Sequence, residues 1–167
     1  MLEIPVLIEE IGKNDVLTWY CRYFYQKKNF FEAFKLLINS GINIQSVDKE
    51  GNNALQILAQ HYENENLTEI IRLLIEKGID VNSKNSRSKN ALFYVITEIC
   101  KTKYLLKDEV VKLLIRHGIQ LSNKNYKMLQ KCGIEDRNGG LEILKYMAKE
   151  DLTLGWHKNC TSCENIL

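Results

Sequence analysis

The 167-residue chain has a single proline, Pro5, and its nine glycines are scattered rather than clustered. That scarcity leaves no flexible Pro/Gly-rich linker, so one folded unit is expected rather than two. Neither sign of charge is in excess: 23 basic against 21 acidic residues leave a formal +2, too little for a phosphate-binding footprint, and no nucleic acid partner is expected. Long apolar runs are missing as well. The stretch from Phe30 to Ile38 is interrupted by Glu32 and Lys35, and nothing approaches the ~20 residues a spanning helix needs, which argues against a membrane role. The start, MLEIPVLIEEIG, carries Glu3, Glu9 and Glu10 and lacks the basic opening of a secretory signal. Five cysteines, Cys21, Cys100, Cys132, Cys160 and Cys163, form an odd, irregular set unlike a disulfide framework. Free thiols in a reducing compartment, the cytoplasm or the nucleus, are expected. A monomer is expected too.

Catalytic signatures are equally scarce. There is no G-x-S-x-G, no H-E-x-x-H and no glycine loop opening a helix, and Gly139-Gly140 reads as a turn. No enzyme activity and no cofactor are expected. The hydrophobic fraction, 45%, is enough to bury one continuous core.

What the chain does contain is self-similarity. Three segments match: KLLINSGINI from Lys35, RLLIEKGIDV from Arg72 and KLLIRHGIQL from Lys112. Gly41 to Gly78 is 37 residues and Gly78 to Gly118 is 40. A second signature repeats at the same 37-residue offset: Asp48-Lys-Glu-Gly51-Asn-Asn53-Ala54-Leu55 and Asn85-Ser-Arg-Ser88-Lys-Asn90-Ala91-Leu92. Each unit reads as helix, loop, helix, turn. In Thr68 to Lys77 the apolar Ile70, Ile71, Leu73, Leu74 and Ile75 cover more than one face, as expected of an outer helix sandwiched between neighbours. Gly41, Gly78 and Gly118 stand just past such helices, where a left-handed residue satisfies the orphan carbonyls. The polar stretches that follow turn a projecting finger, and the next Ala-Leu opens an inner helix.

This pattern resembles the ankyrin-repeat family, whose unit runs D-x-x-G-x-T-P-L-H-x-A-A, a loop, then a helix ending L-L-L-x-x-G-A-D-V-N. Asp48, Gly51, Leu55 and Ala59 fall on its positions, as does Leu92 in the next unit. The resemblance implies an all-α solenoid of helix-loop-helix units with β-hairpin-like fingers, over residues 1–155 in units of roughly 12–45, 46–82, 83–121 and 122–155, followed by a polar tail, 156–167. Four units exceed the ~3 that a solenoid core needs, and degenerate terminal units are expected. Ala54 and Ala91 replace the family's proline, and Gln56 and Phe93 its histidine, so a weakened side-chain network is expected at the finger base. By the same resemblance the chain is a non-catalytic adaptor for an unidentified protein partner, and the binding positions are Lys49, Glu50 and Asn52, then Ser86, Arg87 and Lys89 on the fingers, with Gln60, His61, Thr97 and Glu98 on the inner-helix flank. Leu74 with Asp80-Val81-Asn82 also resembles the target of an asparaginyl hydroxylase; the alternative for Asn82 is a hydrogen bond to the finger backbone.

Two other constellations stand apart from the repeat. His157, Cys160 and Cys163 offer three soft ligands that would suit zinc, or a redox-responsive tail, but a tetrahedral structural site needs a fourth ligand. Trp19, Tyr20, Tyr23, Phe24 and Tyr25 are expected to serve as core and cap, with Trp19, Tyr23 and Phe30 covering the first outer helix. His61 and His117 read as residues of helix ends, where the macrodipole favours them.

Overall fold

The computed structural model describes residues 15–61, 66–101, 106–120, 125, 127 and 128. Helices occupy Val16–Phe24 (α1), Phe30–Asn39 (α2), Ala54–His61 (α3), Leu67–Glu76 (α4), Ala91–Lys101 (α5) and Leu106–Arg116 (α6). They form two layers. The inner helices stack in sequence order, α1 on α3 and α3 on α5, while α6 packs on α4 in the outer layer and each inner helix packs on its own outer helix. Of the expected fourth unit only residues 125, 127 and 128 are described, and the tail with His157, Cys160 and Cys163 lies outside the described residues.

The core runs without a break from unit to unit. Leu17 and Cys21 of α1, Phe34 of α2, Leu55 and Leu58 of α3, Ile71 and Leu74 of α4, Leu92 and Ile96 of α5 and Leu114 of α6 are all fully buried. Each such aliphatic or aromatic side chain contributes about 1.5–3 kcal/mol relative to leaving it in water. Helix α4 is less enclosed than its composition implies. Ile70, Ile71 and Leu74 are buried, but Leu73 and Ile75 are only half-buried and Glu69, Arg72 and Glu76 face solvent. The outer layer meets neighbours on one side, and the i, i+3, i+4, i+7 spacing of the buried Leu67, Ile70, Ile71 and Leu74 selects that side.

The helix ends are made as the glycines imply. Gly78 has φ +85°, its N–H donates to the Ile75 carbonyl at 2.9 Å, and the N–H of Ile79 donates to Leu74 at 3.0 Å. Gly118 repeats the arrangement with φ +76° and bonds of 2.9 Å to Ile115 and, from Ile119, 3.1 Å to Leu114. A Cβ built on Gly78 meets nothing within 4 Å, so a substitution there reports backbone conformation alone. Gly78→Val is expected to cost about 1–2 kcal/mol in urea unfolding and Gly78→Asn less, since asparagine tolerates the left-handed region. An unchanged midpoint for the valine variant would contradict this helix ending.

After each glycine the chain projects as a finger. The first finger holds one antiparallel bridge, Val47 to Asn53, and no strand longer than that occurs among the described residues. Side chains close the turn instead. The Asp48 carboxylate accepts from the N–H groups of Glu50 (2.8 Å) and Asn52 (2.9 Å), and Asn85 does the same for Arg87 and Lys89 at 3.0 Å each.

Candidate functional site

The fingers are bolted to one another by side-chain amides. The Gln45 amide donates to the Gly78 carbonyl (2.6 Å) and its oxygen accepts from the Asp80 N–H (3.1 Å). Asn82 repeats this one unit on, donating to Gly118 at 3.0 Å and accepting from Gln120 at 2.6 Å. Both ends of the Asn82 side chain are therefore engaged in joining units. At the tips the Ser86 N–H donates to the Glu50 carbonyl at 2.9 Å, and a 4.0 Å ion pair links Arg87 to Glu50. The surface is thus held in place by bonds between units.

At the finger base the expected weakening does not occur in the second unit. Asn53 and Gln56 cap α3 reciprocally: the Asn53 N–H donates to the Gln56 side-chain oxygen at 2.7 Å, and the Gln56 N–H donates to Asn53 Oδ1 at 3.0 Å. The Gln56 amide then reaches forward to the carbonyls of Ser83 (3.2 Å) and Lys89 (2.7 Å). Glutamine has the length and the donor to span these groups, so it takes the place of the family's histidine. The third unit has a simpler base, with Asn90 capping the Phe93 N–H at 3.2 Å and Phe93 carrying no such bridge.

Six expected binding residues, Lys49, Glu50, Ser86 and Arg87 at the tips, Gln60 on the α3 flank and Lys89 beside Arg87, fall into two groups. The first five are exposed, while Lys89 is half-buried with its ammonium 4.1 Å from the Phe93 ring centre. His61, Thr97 and Glu98 are half-buried; the His61 ring lies 5.7 Å from Tyr25, and Thr97 donates to the Phe93 carbonyl at 2.7 Å. Asn52 must be withdrawn. It is 1% exposed, its amide nitrogen donates to Asp48, and its oxygen accepts from Asn85 Nδ2 at 2.7 Å, which also donates to the Tyr94 hydroxyl at 2.7 Å. It links two fingers from within.

A groove of about 550 Å3 lies between α1 and the first finger, lined by Asp15, Thr18, Trp19, Arg22, Tyr23, Val47, Asp48, Lys49 and Glu50. Tyr23 and Val47 are 62% and 47% exposed, unusual for large apolar side chains. Tyr23 is therefore not the buried cover expected of it. Phe30 is, stacked 5.2 Å from Tyr20 in the core, while Trp19 is half-buried with its ring 5.4 Å from Tyr23 at 52°. The register was available: Leu17 and Leu55 are equivalent buried positions, so the positions matching Gln60 and His61 are Arg22 and Tyr23.

Arg22 pairs with Asp48 across the groove floor. Burial pushes the Asp48 carboxyl up, but the N–H and side chain of Asn52, the Arg22 guanidinium and the Glu50 N–H outweigh it and hold it below its ordinary value of 3.8. In the unfolded chain the group returns to that value, so its stabilisation is complete above about pH 4 and is lost as pH falls through the lower folded value. Asp48→Asn keeps the turn, as Asn85 shows, but loses the ion pair. The stability gap between wild type and Asp48→Asn is expected to shrink as pH drops below about 4; a gap independent of pH would contradict the assignment. The Cys21 thiol, in contrast, is fully buried and pushed far up by desolvation, the setting of an inert core residue.

No group of three or more metal-ligating side chains occurs among the described residues, and no helix among them is long and apolar enough to cross a membrane.

Stacked helix pairs with laterally bonded fingers define a repeat solenoid with an open, preformed face. The chain belongs to the ankyrin-repeat family: the family model "Ankyrin repeats (3 copies)" matches residues 17–125. An ankyrin repeat domain from Acinetobacter baumannii AYE has a similar fold, with a TM-score of 0.59 and 19% identity, over 91% of this chain and 80% of that one. No curated protein sequence matches. Ankyrin repeats are generally protein–protein interaction modules, typically without catalytic activity.

Proposed function

We propose that this chain is an adaptor that binds a partner protein on the concave surface formed by its finger tips and inner-helix flanks. The observation that carries this reading is the contrast between a bonded interior and an open rim. Asn52, Asn53, Gln56 and Asn85 are buried and spent on joining units, while Lys49, Glu50, Ser86 and Arg87 stand exposed beside Tyr23 and Val47. A surface ordered before binding loses little entropy on docking.

Affinity purification from the source organism, with partners identified by mass spectrometry, tests it. A variant carrying Tyr23→Ala, Lys49→Ala, Glu50→Ala and Arg87→Ala is expected to lose at least one specific partner while melting within a few degrees of wild type. A control with Arg72→Ala and Glu76→Ala on the outer face of α4 is expected to keep it. Loss from the control alone would move the site off the concave face and sink the proposal.

A further inference from the structure

A short side chain, Thr18, lines the groove beside the first finger. Thr18 occupies the α1 position that Gln56 holds in α3, by the register of Leu17 with Leu55 and by the matching bonds of Trp19 to the Asp15 carbonyl (3.0 Å) and of Ile57 to Asn53 (3.1 Å). Gln56 fills its space and bonds two carbonyls of the finger ahead. Thr18 cannot reach so far, and its hydroxyl donates to Asp15 at 3.0 Å. Among the described residues no side chain donates to the matching carbonyls of Ser46 and Asn52, and the buried Ser46 hydroxyl has no hydrogen-bond partner.

The groove walls favour a cation. Trp19 and Tyr23 present two tilted rings on one side, and aromatic faces attract ammonium and guanidinium groups. Three carboxylates, Asp15, Asp48 and Glu50, line the groove against two cations, Arg22 and Lys49. Arg22 is matched by Asp48. Among the described residues Asp15 forms no ion pair, and Glu50 has only the exposed Arg87 at 4.0 Å. The exposed Tyr23 and Val47 add an apolar shoulder.

From this we infer that the groove anchors a partner segment carrying an arginine or lysine next to an apolar side chain. The cation enters between the Trp19–Tyr23 pair and the Asp15 and Glu50 carboxylates, to which its N–H groups donate. The apolar neighbour rests on Tyr23 and Val47. This rests on the concave-face reading and gives it a partner chemistry.

Selection of random displayed dodecapeptides on the full chain tests the assignment. Enriched peptides are expected to share an arginine or lysine beside an aliphatic or aromatic residue. Exchanging that arginine for citrulline, which keeps shape and removes charge, should weaken binding about tenfold, as should Tyr23→Ala. The Asp15→Asn, Glu50→Gln double variant should weaken it several-fold and flatten its salt dependence. Enriched peptides without a cation, or binding indifferent to citrulline and to Tyr23→Ala, would overturn the inference, as would the absence of any enriched sequence. None of these would touch the adaptor reading, which the partner purification decides separately.

Discussion

Gln56→Ala is expected to lower the free energy of unfolding by about 3 kcal/mol. Four hydrogen bonds pass through this residue, two to Asn53 and one each to the carbonyls of Ser83 and Lys89, and the side chain is 1% exposed. Truncation keeps the bond that the backbone N–H of residue 56 donates to Asn53. It leaves the Asn53 N–H and the Ser83 carbonyl without these partners and the Lys89 carbonyl with only the Asn85 N–H at 3.1 Å; a buried group orphaned in this way costs about 1–3 kcal/mol unless water enters. Gln56→Glu separates the parts. It keeps the oxygen that caps Asn53 and removes the amide donor, so it should lose the link to the third finger while preserving the start of α3. Urea unfolding followed by circular dichroism gives the magnitudes, and amide exchange at Asn53 should rise in Gln56→Ala and not in Gln56→Glu. A loss below about 1 kcal/mol for alanine would show that the bridge is not a structural tie.

Gly51→Val is expected to be comparably damaging, by about 3 kcal/mol, for two independent reasons. At φ +77° a β-branched residue is strained. A Cβ there would also sit 3.2 Å from the backbone nitrogen of Ser86 and 3.4 Å from the Asn85 Cα, pushing on the N–H that donates to Glu50. Gly78, with open space around it, bears only the first cost, so the difference between the two valine variants measures the closeness of the fingers. Ser88 offers the reverse experiment. It holds the position equivalent to Gly51 with φ +55°, and Ser88→Gly should stabilise the chain by up to about 1 kcal/mol by relieving that strain. Ser88→Gly without a gain, together with a mild Gly51→Val, would contradict the finger geometry.

Much of the framework was legible beforehand. The helix endings at Gly41, Gly78 and Gly118 and the second register through Asn53-Ala54-Leu55 and Asn90-Ala91-Leu92 follow from periodicity and cap chemistry. The misreadings concern polar and aromatic side chains. Asn52 looks like a finger-tip residue and is buried; Gln56 looks like a degraded histidine and carries the bridge; Tyr23 looks like cover and stands in the open.

The division has a physical cause. Helix formation, helix ending and the fold they imply depend on residues within a few positions of one another, and on a repeat that brings like residues into one layer, so the order of residues alone determined the ankyrin solenoid. Whether a polar side chain is a surface contact or an internal tie depends on the groups that another unit brings to it. The Gln56 bonds reach 27 and 33 residues ahead, those of Asn85 to Asn52 33 back and those of Asn82 36 ahead. Only the stacking distance between units decides whether such a side chain spans the gap, as Gln56 does, or falls short, as Thr18 does.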